Sequence, residues 1–287
     1  ISGIYIPNKL LIYIGLIALI IFYVYQSASR WKLYKIGAIT LLSLSILAID
    51  FHLYNIRIIK DRSFQRYIKS EFNIRGSITP EDLESIDRIF LSGQNKVTSL
   101  EGIQHFKKLE DIYIADTSII KDLSPLNDVT QLKQLVLWYM DLNRLAELGE
   151  LNSLEQLELV YPKEGEIGSL KDYPALRVLR IQGLDFDNLK GLNVPKNLEE
   201  LSIGDAKVKS FDGVDGFSNL KELRLYKLYV EDIRDIFILE DLEKIDITGG
   251  IISNPDNFEE ILLDKGIQLE KSKSIEELLE EIVEEEL

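Results

Sequence analysis

Eight times along the chain the pattern L-x-x-L-x-L returns, with its first residue at Ile86, Leu109, Leu132, Leu154, Leu176, Leu198, Leu220 and Leu242, in steps of 23, 23, 22, 22, 22, 22 and 22 residues. A fixed period of this length makes the chain a stack of like units. In each unit the first, fourth and sixth positions are apolar, as in Leu109, Ile112 and Ile114, or Leu220, Leu223 and Leu225. They point inward from a short strand, whose side chains alternate between faces. Further apolar residues line the return path, such as Ile119, Leu123, Leu126 and Val129 in one unit and Val208, Phe211, Val214 and Phe217 in another. No unit buries that face alone. Stacking at about 4.8 Å per strand makes one continuous core, roughly 34 Å long for the set.

The period is that of leucine-rich repeats. The expected fold is an α/β solenoid, a leucine-rich repeat horseshoe of about eight 22–23-residue turns over residues 86–252. A helical N-terminal cap and linker occupies 61–85, a C-terminal helical cap 253–287, and a transmembrane helical hairpin 1–60. Among 287 residues there is one Met and no Cys, which excludes a disulfide framework and a thiolate metal site. Of the 33 basic and 48 acidic residues, 1–76 hold ten and three, leaving 23 against 45 in the remainder, or +7 against −22. The acidic solenoid repels nucleic acid.

The hydrophobicity concentrates in the basic front end. Leu10 to Ser29 runs twenty residues between Lys9 and Arg30 without a charge, long enough to span a bilayer. A second run, from Ile36 to Ile49, reaches spanning length if it continues through Asp50 and His52 to Ile56. The pair reads as two transmembrane helices; the first run has no basic start or A-x-A site and so is not a cleaved signal peptide. The missing initiator Met leaves room for residues upstream. Asp50 and His52 sit at headgroup depth on this reading.

Phe64, Tyr67, Ile68 and Phe72 are spaced for one helix face, and Thr79 before Pro80 and Asp82 is a helix start. With "SLEGI" (Ser99–Ile103) and "DLSPL" (Asp122–Leu126), this stretch resembles internalin-like bacterial leucine-rich repeat proteins and their N-terminal cap, over about residues 63–252. That resemblance implies a cap of helix and apolar strand on a repeat solenoid, placed outside the cell. The family's Asn at the ninth position of each turn is absent, its place taken by Gln94, Thr117, Met140, Pro162, Leu184, Ala206, Leu228 and Gly250. The convex side is therefore expected to be irregular, and no ligand contacts transfer.

Past Gly250, "NPDNFEEILLDKG" reads as a capped helix, "IQLE" as a short strand and "SIEELLEEIVEEEL" as a closing helix with a Ser274–Glu277 capping box. Its stripe of Ile275, Leu278, Leu279, Ile282 and Val283 is expected to cover the last turn of the solenoid, since solenoid ends must be capped, the alternative being a partner helix.

For catalysis the chain offers little. His105 is the only histidine outside the hydrophobic front end, and no nucleophile elbow, zinc-helix, P-loop or dinucleotide pattern accompanies it. Ser118–Lys121 is too short a match to count, and "FDGVDG" (Phe211–Gly216) lacks the further oxygen ligands and closing Glu of a Ca²⁺ loop. No catalytic residue, metal site or cofactor is expected.

What remains is the concave face, where outward residues of successive turns stand in columns. Phe90, Tyr113, Val136, Trp138, Tyr139, Val160 and Tyr161 cluster on the first four turns, where a solvated strand face would be polar. Arg180, Arg224, Tyr226 and Lys227 make a basic, aromatic second half suited to a carboxylate-bearing partner. The chain is read as a membrane-anchored module that recognises a protein through this face. The alternative is an accessory or immunity-type subunit, bound to another membrane protein through the hairpin. The basic flanks of the two runs tie when Arg62, Arg66 and Lys69 are discounted as part of the cap, and the internalin-like resemblance then implies a solenoid outside the cell; counting them as lying on the lipid places it in the cytoplasm.

Overall fold

The computed structural model describes residues 40, 43–46, 57–163, 165–253 and 257–272. The chain divides into two compact units, Ile1–Arg57 and Ile58–Leu287. In the first, Thr40 and residues 43–46 are helical. The two hydrophobic runs otherwise lie outside the described residues, and among those described no helix is long and apolar enough to cross a membrane. The second unit holds all of the repeats.

Each L-x-x-L-x-L pattern forms a strand: β1 (Arg88–Leu91), β2 (Asp111–Ile114), β3 (Gln134–Trp138), β4 (Gln156–Val160), β5 (Val178–Gln182), β6 (Glu200–Ser210), β7 (Glu222–Asp232) and β8 (Lys244–Thr248). They pair in chain order, all parallel, and every pairing sets like positions of the repeat side by side, from Arg88↔Asp111 to Glu222↔Lys244. The fourth- and sixth-position residues are buried and the fifth-position residues face out, as alternation along a strand requires. One core cluster then runs the length of the unit, with Phe106, Phe211 and Phe217 filling the space under the return paths.

The sheet does not stop at β8. The "IQLE" strand is β10 (Gln268–Ser272), and it pairs in parallel with β8 at Gln268↔Lys244. Helix α3 (Phe258–Asp264) serves as the return path of this further turn, with Phe258 and Leu262 buried and Phe258 against Phe237 at 5.9 Å. The closing helix expected from Ser274 onward lies outside the described residues.

On the convex side two devices take the place of the absent ninth-position amides. In the early turns the return path is made of 3-10 turns such as Thr117–Ile119 and Leu142–Leu148. They are tied by Arg144, which donates to the Thr117 carbonyl at 3.1 Å, and by Glu147, whose carboxylate accepts from the Leu123 amide at 2.9 Å. In the later turns β6 and β7 run on for eleven residues each. Their second halves alternate buried Ala206, Val208, Leu228 and Val230 with exposed Lys207, Lys209, Tyr229 and Glu231. With Phe186 and β9 (Ile251–Ile252) they make a second parallel ladder, Phe186↔Val208↔Val230↔Ile252. Side-chain amides still link turns, one residue ahead of the first leucine: Gln131 donates to the Phe106 carbonyl at 2.6 Å, Asn197 to Pro174 at 2.9 Å and Asn219 to Lys196 at 2.7 Å.

The N-terminal cap closes the other end. Helix α1 (Arg62–Glu71) buries Phe64, Tyr67 and Ile68, and Phe64 stacks on Phe106 at 6.0 Å. The Tyr67 hydroxyl accepts from the Phe90 amide at 2.9 Å, which satisfies a donor on the edge strand β1. Asp61 caps α1 through Oδ1, accepting from Ser63 and Phe64, while its Oδ2 accepts from the amide and hydroxyl of Thr98 in the first turn. The Thr79 start of α2 (Pro80–Leu83) is a reciprocal capping box with Asp82.

Candidate functional site

The concave face divides into three parts. On turns one to three, Phe90 is 49% exposed and lies against Tyr113 at 6.4 Å and edge-on to Trp138 at 6.2 Å. Arg88 sits over the Tyr113 ring at 5.9 Å, and the Tyr113 hydroxyl donates to Gln134 at 3.0 Å, so the ring is held in place from two sides. Val136 and Val160 belong to the same columns but are only 2% and 4% exposed. They form the floor of this wall rather than its surface.

At the eighth position the chain turns off the strand through the left-handed region. Tyr139, Tyr161, Gly183, Asp205, Lys227 and Gly249 all have positive φ. For a residue with a Cβ this costs roughly 1–2 kcal/mol, so four non-glycine residues in one column represent stored strain held by the surrounding ladder. Tyr139 and Tyr161, 47% and 43% exposed, stack at 6.3 Å. Tyr161 lies across Gly183, where a Cβ would fall 2.2 Å from its Cδ1, and its hydroxyl donates to Asp205 two turns away at 3.0 Å. That hydrogen bond, and then the Asp205 charge, raise the Tyr161 pKa.

The basic half is different in kind. Arg180 donates to Glu200 through Nε and Nη2 at 3.2 and 2.9 Å. Arg224 donates to both oxygens of Glu222 at 3.0 Å and approaches Glu200 at 3.5 Å. The two guanidinium groups are thus neutralised within the sheet, and Tyr226 and Lys227 pair with each other, the ammonium 5.5 Å from the ring centre. The expected grouping of Arg180, Arg224, Tyr226 and Lys227 resolves into two arginine–glutamate pairs and one cation–aromatic pair.

Three features went unread in the sequence. Glu158, between Val136 and Arg180 in the fifth column, is half-buried and carries no hydrogen bond or ion pair among the described residues. Burial raises its pKa, and the neighbouring Arg180 charge only partly opposes this. Glu200 and Glu222, which occupy the arginines, stand in the third column. At the second position the charges alternate strictly from Glu110 through Lys133, Glu155, Arg177, Glu199 and Lys221 to Glu243. Contacts of 2.9 Å for Glu110–Lys133, 2.5 Å for Arg177–Glu199 and 3.4 Å for Glu199–Lys221 join this ladder. It borders an open groove of about 610 Å³ along the sheet. Exposed pairs of this kind are weakened by solvent screening, but opposite charges on adjacent strands favour the observed register.

His105 is partly exposed in a 3-10 turn beside Gly102, and the Ser118 hydroxyl donates to the Asp116 carboxylate. In "FDGVDG", Gly213 provides a left-handed turn over Lys190 and Asp212 pairs with Lys190 at 2.5 Å. No group of three His, Cys, Asp or Glu among the described residues is arranged to hold a metal ion.

No family model and no curated protein matches the chain. Solved structures do. Internalin C2 of Listeria monocytogenes is 23% identical with a TM-score of 0.53, over 76% of this chain and 95% of that one. Internalin F of the same organism is 18% identical, with a TM-score of 0.48 over 76% and 71%. A leucine-rich repeat protein of Leptospira interrogans is 17% identical, with a TM-score of 0.39 over 67% and 62%. The likeness to internalin C2, together with the parallel sheet of stacked repeats, shows an internalin-like leucine-rich repeat solenoid.

Proposed function

We propose that the chain is a protein-interaction module, anchored in the cell membrane by the hydrophobic pair within residues 1–60, whose concave face recognises a protein partner. The observation that carries this reading is the Phe90, Tyr113 and Trp138 wall. Phe90, half exposed, touches both the Tyr113 and the Trp138 rings on a strand face that meets solvent. Rigid aromatic groups over an apolar floor are what a binding hot spot is made of. The strained Tyr139–Tyr161 stack at the rim supports the same reading, since strain of this kind collects at functional surfaces. The paired arginines remove the carboxylate clamp from this proposal; the aromatic half bears it. The anchor rests on the length and charge-free character of Leu10–Ser29. With the cap's basic residues discounted the flanking charges tie, and the likeness to internalin C2 favours an extracytoplasmic solenoid.

The test is a binding titration of the full chain in neutral detergent with whatever partner it captures. Trp138→Ala and Tyr161→Ala are compared with Lys196→Ala, an exposed site outside the sheet. Trp138→Ala is expected to weaken binding by roughly 2 kcal/mol, about thirtyfold in Kd. Equal binding by all three variants contradicts the proposal. Loss of function on exchanging residues 1–60 for an unrelated anchor, with the solenoid intact, favours instead an accessory subunit held through its hydrophobic pair.

A further inference from the structure

The geometry points to a cationic side chain, an arginine in an extended segment of the partner, as the group received at Glu158 beside the Trp138 wall. This rests on the proposed role of the concave face and gives it a chemistry. The arginines along this part of the sheet have internal mates: Arg88 has Asp111 at 2.6 Å, Arg180 has Glu200 and Arg224 has Glu222. Glu158 has none, although Arg180 is its neighbour in register, because the arginine is turned to Glu200.

The surroundings suit a guanidinium. Val136 and Val160 flank Glu158 across and along the strand and are buried, so the carboxylate stands on an apolar floor where an ion pair is screened less than at an ordinary surface. Trp138 is the diagonal neighbour, at a separation on the order of 7–8 Å that long side chains bridge. An arginine can therefore place its planar face on the indole while its N–H groups meet the carboxylate. A half-buried carboxylate without a partner costs the free protein stability, and a cation that pairs with it recovers that cost. The net charge of −15 attracts such a segment from a distance.

The probe is a set of three blocked heptapeptides, Ser-Thr-Val-X-Val-Thr-Ser with X as Arg, Gln or Glu. They are titrated against the full chain in neutral detergent, with Trp31→Phe so that Trp138 is the one reporting indole. The arginine peptide is expected to give a saturable fluorescence change in the millimolar range, and the glutamine peptide to bind about tenfold more weakly, as for one charge-assisted contact. Glu158→Gln should bring the arginine peptide down to the glutamine level while Lys196→Ala leaves it unchanged. Glutamine or glutamate peptides that bind as well as the arginine peptide, or an unaffected Glu158→Gln variant, overturn the cation assignment and leave the concave face as a binding surface. Absence of saturable binding by all three also overturns it, and the Trp138→Ala titration with the captured partner then judges the face separately.

Discussion

Glu158 is the residue where stability and recognition pull in opposite directions. Its folded pKa is raised, first by burial, so the fold binds its proton more tightly than the unfolded chain does. The stability it contributes is complete below its ordinary value of 4.5 and is lost as pH rises through the folded pKa. At neutral pH the ionised group works against the fold. Glu158→Gln keeps the shape and removes the charge, so thermal melts should show it more stable than the parent at neutral pH, with the gap closing in acid. A variant less stable at neutral pH would show that the carboxylate has an internal mate. Gly183 makes the complementary case: φ is +75° and a Cβ meets the Tyr161 ring at 2.2 Å. Gly183→Ala should cost roughly 1–2 kcal/mol in backbone strain and displace Tyr161 from Asp205. Gly168→Ala, with φ of +65° and open space around it, should incur the strain alone, and aromatic NMR shifts of Tyr161 distinguish the two.

At the scale of elements, the cap hangs on Asp61. Burial pushes its pKa up, and hydrogen bonds from the Phe64 amide, the Thr98 hydroxyl and amide and the Ser63 amide more than offset this, leaving it lowered. Its contribution is therefore present above the ordinary value of 3.8 and lost as pH falls below it. Asp61→Ala removes both the helix cap and the tie to the first turn and should cost about 2 kcal/mol. Hydrogen exchange should localise the loss to α1 and residues 97–99, and a loss spread evenly over the sheet would contradict this. The strands, their register and the Thr79 helix start were legible because leucines at a fixed period admit one face-in solution. The second ladder was legible in principle, since buried Ala206 and Val208 alternate with Lys207 and Lys209, but Val208 also begins the Val208, Phe211, Val214, Phe217 series, whose spacing fits a turn-rich return path equally well. The pairing of Arg180 and Arg224 was not legible. A column holds a basic residue and its acidic neighbours at similar distances, and side-chain packing alone selects the mate. Nor does a tyrosine announce a left-handed backbone; only Gly183 and Gly249 in the same column hinted at it.

For the whole molecule, the solenoid leaves a long acidic surface on which one aromatic wall and the half-buried, unpaired carboxylate of Glu158 stand out. Stacked units transmit disturbance mainly to neighbours, so the concave residues can change without loss of the core beneath them. If partners meet the molecule at this wall, a reactive group placed there must capture them. Photo-crosslinking in intact cells measures this, with a photoreactive residue substituted for Trp138 in the full chain and, separately, for Lys196. A discrete protein adduct is expected from position 138 and none from position 196. Adducts from 196 alone, or equally from both, would contradict recognition through the concave wall.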